Sequence, residues 1–104
     1  MIYLKKHDTD RGAMIAMCDE KALGKIYRDT KTGAMLDLKK YSDFYKGELM
    51  DAERAGKEVS KDYIYSANIV GGESVGVILD AGLASEVDVK EIGGVRTLQI
   101  YRIS

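Results

Sequence analysis

The sequence predicts an α+β fold in a single domain, residues 1–104, with a mostly antiparallel sheet built from hairpins and two main helices. Three observations lead there. Strand-length apolar runs flank Gly- and Asp-rich turn chemistry at three places along the chain. Two segments, 51–62 and 73–81, carry helical rather than strand signals. Finally, 104 residues with 45% apolar side chains are enough for one core, and no linker, repeat or low-complexity stretch divides them.

The elements follow in order. Ile2–His7 reads as a strand with Ile2 and Leu4 on one face, residues 8–12 as a turn, and Ala13–Cys18 as a second strand. Pairing about this turn sets His7 near Ala13 and Cys18 near Ile2. Asp19–Gly24 looks like one helical turn stopped by Gly24. Lys25–Arg28 and Ala34–Leu38, joined by the turn 29–33, form a second hairpin, and Tyr41–Gly47 reads as irregular. Asp51 caps a helix running to about Asp62, with Ala52, Ala55, Gly56 and Val59 inward and Glu53–Lys57 and Arg54–Glu58 as i,i+4 ion pairs. Gly56 in mid-helix costs about 1 kcal/mol relative to Ala, which makes this the least secure element.

Tyr63–Val70 reads as a strand and Glu73–Ala81 as a helix with Val75, Ile78 and Leu79 at core spacing, stopped by Gly82. The final hairpin turns at Gly93-Gly94. It pairs Ile92 with Val95, Glu91 with Arg96, Val89 with Leu98 and Val87 with Ile100. Val87, Val89, Leu98 and Ile100 then share a face that lies against the 73–81 helix.

Composition excludes several classes of function. The net charge is −1, against a generally basic nucleic-acid binder. One Cys and one His supply neither a disulfide framework nor a closed zinc site. No cofactor motif stands in the chain, and no metal or cofactor is expected. The absence of a long apolar run and of a leader-like start points to a soluble, cytoplasmic protein. Charge is unevenly spread: residues 1–46 hold ten Lys/Arg against seven Asp/Glu, and residues 47–104 hold six against ten.

Four sets of residues invite a chemical reading. His7 and Cys18 resemble a nucleophile–base pair, but the hairpin separates them by about five residues, or roughly 16 Å at ~3.3 Å per residue. No catalytic residue is assigned. Gly71, Gly72 and Ser74, at a strand-to-helix junction, resemble an anion-holding loop, although Glu73 puts negative charge at that point. Lys39, Lys40, Tyr41, Phe44, Tyr45 and Lys46 interleave cations with aromatics, the arrangement single-stranded RNA recognition uses. Asp19, Lys25, Tyr45, Glu48 and Asn68 are polar groups that would make a ligand pocket if folding gathered them.

Pieces spread through the chain resemble an archaeal family catalogued as domain of unknown function 424. They are Cys18-Asp19 with Leu23-Gly24-Lys25, Phe44-Tyr45-Lys46-Gly47-Glu48, Ala67-Asn68-Ile69-Val70-Gly71 with Ser74-Val75, and Ile92-Gly93-Gly94-Val95 with Gln99. The resemblance implies a small archaeal cytoplasmic protein in the orbit of translation; it implies no activity, cofactor or catalytic residue. The functional expectation is a non-enzymatic binding module for RNA, the ribosome or a translation protein. The alternative is a small enzyme or ligand-binding domain around the five polar residues above. A homo-oligomer closing an exposed sheet edge is a further expectation.

Overall fold

A computed structural model describes residues 1–102. Eight strands and three α-helices follow one another: β1 (Ile2–Thr9), β2 (Gly12–Asp19), β3 (Ile26–Arg28), β4 (Met35–Asp37), α1 (Ser42–Tyr45), β5 (Glu48–Met50), α2 (Ala52–Val59), β6 (Ile64–Val70), α3 (Gly72–Asp80), β7 (Lys90–Ile92) and β8 (Val95–Tyr101). Six strands form one sheet in the order β5-β1-β2-β6-β8-β7, and β3 pairs with β4 in a small separate sheet. All pairings are antiparallel except β2 with β6, which the crossover through β5 and α2 makes parallel. The fold is therefore α+β, as the hairpin pattern predicts. Among the described residues, no helix is long and apolar enough to cross a membrane.

The main core lies between one face of the sheet and the helices α2 and α3. Ile2, Leu4, Ile15, Met17, Ala67, Ile69 and Leu98 meet Ala55, Val59, Val75, Val77 and Ile78 there. Strand alternation sends the intervening residues to the opposite face. One end of that second face is covered by segment 20–47, which contributes the β3–β4 hairpin and α1. Cys18, Val70, Ala22 and Leu38 form a smaller core beneath it, packed by Leu36, Tyr45 and Val95.

Several local expectations need correction. The opening turn is the two-residue step Asp10-Arg11, so the register shifts by one: His7 faces Met14 and Tyr3 faces Cys18. Segment 41–47 contains the short helix α1, and it leads into an edge strand, β5, that the sequence pattern does not reveal. Only three residues long and mostly exposed, β5 carries no apolar alternation; its pairing with Ile2–Leu4 comes from tertiary context. Helix α2 stops at Val59, where Ser60 Oγ donates to the Gly56 carbonyl at 2.8 Å. Its Ala52 is exposed rather than inward. Arg54 pairs with Glu48 instead of Glu58, because Glu58 is held by Lys61 and Lys6.

The closing hairpin keeps its turn and inner register. Gly93 and Gly94 both take positive φ, with Ile92 opposite Val95 and Glu91 opposite Arg96. Leu98 is 2% exposed against the core that includes α3. The outer pairs do not form. Residues Glu86–Asp88 make a 3₁₀ turn closed by a Ser85–Asp88 capping box, which halts the strand at Lys90. Val87 is left 90% exposed, whereas Val89 still packs on the core.

Candidate functional site

The second face of the sheet grades from covered to open along its strands. On β8 the residues facing that way run Val95, Thr97, Gln99, Tyr101. On β6 they run Val70, Asn68, Ser66, with Asn68 opposite Gln99 and Ser66 opposite Tyr101. Val95 and Val70 lie under segment 20–47; Gln99 and Tyr101 are exposed. Where the cover ends, two neighbouring grooves open. One, of about 400 Å³, is walled by Leu36, Leu38, Tyr41, Phe44, Tyr45 and Asn68. The other, of about 850 Å³, runs from Asp29 and Leu36 past Asn68 and Gln99 to the segment 87–92. Tyr45 and Asn68 belong to both walls. Between the strands the Gln99 amide donates to Asn68 Oδ1 at 3.3 Å.

The lysine–tyrosine segment contributes Tyr41, Phe44 and Tyr45 to the smaller groove. Asp37 Oδ1 accepts the backbone N–H groups of Lys39 and Lys40 at 3.1 and 2.8 Å, turning the chain so that both side chains point outward and are exposed. Tyr41 is 54% exposed, with the Lys40 ammonium 5.5 Å from its ring centroid. Phe44 stacks on His7 with centroids 5.5 Å apart and meets Tyr45 edge-on at 5.1 Å. Tyr45 reaches down to Cys18; burial first, then the nearby thiol, pushes its phenol up to about 12. Lys46 is exposed, and Lys5 Nζ ties β1 to α1 through the Asp43 carbonyl at 2.7 Å. Of the six residues, Tyr41, Lys39, Lys40 and Lys46 thus face solvent, while Phe44 and Tyr45 form the wall and floor.

The remaining candidates are dispersed. Asp19, at the end of β2, accepts the Glu73 and Ser74 backbone N–H groups at 3.1 and 2.8 Å and the Ser74 hydroxyl at 2.7 Å. The loop at Gly71, Gly72 and Ser74 therefore holds an anion belonging to the chain itself. Glu48 pairs with Arg54, and Lys25 is an exposed residue flanking β3. Of Asp19, Lys25, Tyr45, Glu48 and Asn68, Tyr45 and Asn68 line the two grooves described above, and the other three line neither.

His7 and Cys18 sit four ladder positions apart, about 13 Å by strand rise. Burial, and secondarily Asp19, pushes the Cys18 thiol up to about 12, which keeps it protonated and inert. Among the described residues no three His, Cys, Asp or Glu side chains converge as a metal site would require. The sequence pattern does not single out Gln99, Thr97 or Leu36 as site residues, because the aliphatic side of β8 is its dominant signal. The alternation that buries Leu98 also places Thr97, Gln99 and Tyr101 together on the other side, and that signal was available.

What fold and groove define is a small α+β domain with a helix-covered core face and a half-open second face, its groove bordered by Tyr41 with the Lys40 ammonium beside the ring. The chain belongs to the family described as "Protein of unknown function (DUF424)", whose model matches residues 7–103. It is also similar to an uncharacterized conserved protein from Methanopyrus kandleri known from a crystal structure, at 29% identity and a TM-score of 0.78. The similarity covers 99% of this chain and 95% of that one. No curated protein matches the chain.

Proposed function

We propose that this protein is a non-enzymatic module that binds single-stranded RNA at the groove beneath Tyr41. The observation that carries the reading is the exposed Tyr41 ring, with the Lys40 ammonium over it, at the mouth of a groove walled by aromatic rings and the Asn68 amide. A base has a flat apolar face and a polar edge, and this groove offers an apolar wall and one amide. Lys40 stands beside Tyr41 at the mouth, and Lys39 and Lys46, exposed in the same segment, are free to meet phosphates. Segment 20–46 as a whole carries seven Lys/Arg against four Asp/Glu, so the local charge favours a polyanion although the net charge of the chain does not. An RNA of the translation machinery is the partner that the family resemblance favours.

The alternative of a small-molecule enzyme or ligand pocket is less well supported. Asp19 is engaged with α3 and Glu48 with Arg54, and of the five groups Tyr45 and Asn68 are the two that line these grooves.

The test is fluorescence anisotropy with a labelled single-stranded RNA 12-mer over a range of salt. The wild-type chain should bind with a salt-dependent affinity. Substituting Lys39, Lys40 and Lys46 together by Ala should reduce the log–log salt slope by about 2, at about 0.7 per phosphate contact on a single strand. Tyr41→Ala should weaken binding about fivefold or more. Absence of binding, or binding indifferent to all four residues, overturns the proposal.

A further inference from the structure

The open end of the same sheet face carries a second group of aromatics and cations outside the groove. Tyr101 is 64% exposed at the end of β8, on the face shared with Gln99 and Asn68. Its ring lies 5.3 Å from that of Tyr65, and the Tyr65 hydroxyl donates to the Tyr101 hydroxyl at 2.8 Å. Arg11, from the β1–β2 turn, donates to the Tyr65 hydroxyl at 3.1 Å with its guanidinium 5.6 Å from that ring's centroid. Among the described residues Arg11 has no carboxylate partner, although Asp10 precedes it in the turn. Its remaining N–H groups are directed to no protein acceptor there. Such an arrangement has an exposed ring held in place by hydroxyl contacts and a guanidinium free to take phosphate oxygens.

Resting on the RNA reading above, we propose that Tyr101, Tyr65 and Arg11 form a second stacking and phosphate subsite. One single strand then crosses the sheet from Tyr41 to Tyr101, over the Asn68–Gln99 amide pair. On β8 the uncovered same-face residues Gln99 and Tyr101 lie one step of ~6.6 Å apart. A strand anchored at both Tyr41 and Tyr101 must be longer than one held at Tyr41 alone, and its middle bases lie against amide donors and acceptors able to pair with base edges. Charge and shape together fit a single-stranded polyanion with flat bases. Exposed lysines lie in the segment over the covered end, an arginine with no carboxylate partner among the described residues borders the open end, and exposed tyrosine rings stand at both.

The experiment is an anisotropy series with labelled single-stranded RNAs of four to twelve nucleotides, on the wild type, Tyr101→Ala, Tyr101→Phe and Arg11→Ala. Circular dichroism confirms that each variant is folded. For the wild type, affinity should rise with length beyond the shortest oligonucleotides. Tyr101→Ala should flatten that rise and weaken 12-mer binding about fivefold or more, while the tetramer is unaffected. Tyr101→Phe, which keeps the ring, should bind within about twofold of the wild type, and Arg11→Ala should lower the salt slope by about 0.7. Twelve-mer binding that depends on Lys39, Lys40 and Lys46 but ignores Tyr101 and Arg11 overturns the second subsite and leaves the groove reading standing. A wild-type chain that ignores all the oligonucleotides overturns both.

Discussion

The Asp19 carboxylate caps helix α3 through Ser74, taking both its backbone N–H at 2.8 Å and its hydroxyl at 2.7 Å. The cap comes from β2, 55 residues earlier in the chain, because the residue preceding the helix is Gly71 and has no side chain to offer. Since β2 and β6 run parallel and end together, with Cys18 beside Val70, the carboxylate arrives at the helix N-terminus by sheet register. Asp19→Ala removes an acceptor from two N–H groups and one hydroxyl, and should cost about 2 kcal/mol of stability in urea unfolding. Asp19→Asn, which keeps one acceptor oxygen, should recover part of that loss.

Gly71 is tied to the same contact. Its φ of 106° lies in a region that side-chain-bearing residues rarely adopt, and a Cβ there would collide with the Asp19 carboxylate. Gly71→Ala should therefore destabilise by more than about 3 kcal/mol, from backbone strain and steric conflict combined. Gly72→Ala meets no atom within 4 Å, so thermal melting of that neighbouring variant should match the wild type closely.

Stability should fall in alkali. Cys18 and Tyr45 are both held neutral by burial, with values near 12 against ordinary values of 9.0 and 10.0. A group whose folded value lies above its unfolded one contributes stability that is complete below the unfolded value and lost as pH climbs toward the folded one. The urea midpoint should decline from about pH 9 to about pH 12, and Cys18→Ala should make the decline shallower. At neutral pH, a thiol reagent such as Ellman's should label Cys18 only at the rate of unfolding.

The closing hairpin offers a paired contrast. Leu98→Ala removes a side chain that is 2% exposed in the main core and should cost about 2–5 kcal/mol. Val87→Ala alters a side chain that is 90% exposed on the 3₁₀ turn, and its denaturation curve should overlay the wild type within about 0.5 kcal/mol. Had β7 extended to Val87, both substitutions would be costly.

Local physical chemistry was enough to place the three hairpins, though not the register of the first or the outer pairs of the last, and to read the Asp51 cap and the α3 core stripe. The Asp51 cap is a bond between neighbours, Asp51 Oδ1 to the Arg54 N–H at 2.8 Å, and the Gly93-Gly94 turn needs only two residues at positive φ. β5 was not legible, since three residues with a single buried side chain carry no period and become a strand only because Ile2–Leu4 leave an edge to pair. Nor was the end of β7, where the capping box between Ser85 and Asp88 competes with the ladder for the backbone. In the candidate site, the lysine–tyrosine segment was visible as composition, but the groove behind it was not.

By itself the sequence determined the fold class, the places of the hairpins, the Gly93-Gly94 turn and the apolar sides of the first and last strands, because those depend on spacing along one chain segment. Tertiary structure alone decided that β2 and β6 lie side by side in parallel, and hence that Asp19 holds the loop before α3 as an internal anion. The antiparallel pairing of β6 with β8 gathers Asn68, Gln99 and Tyr101 on one open face. Such meetings depend on how strands from distant parts of the chain are ordered across a sheet, and neither periodicity nor composition encodes that order.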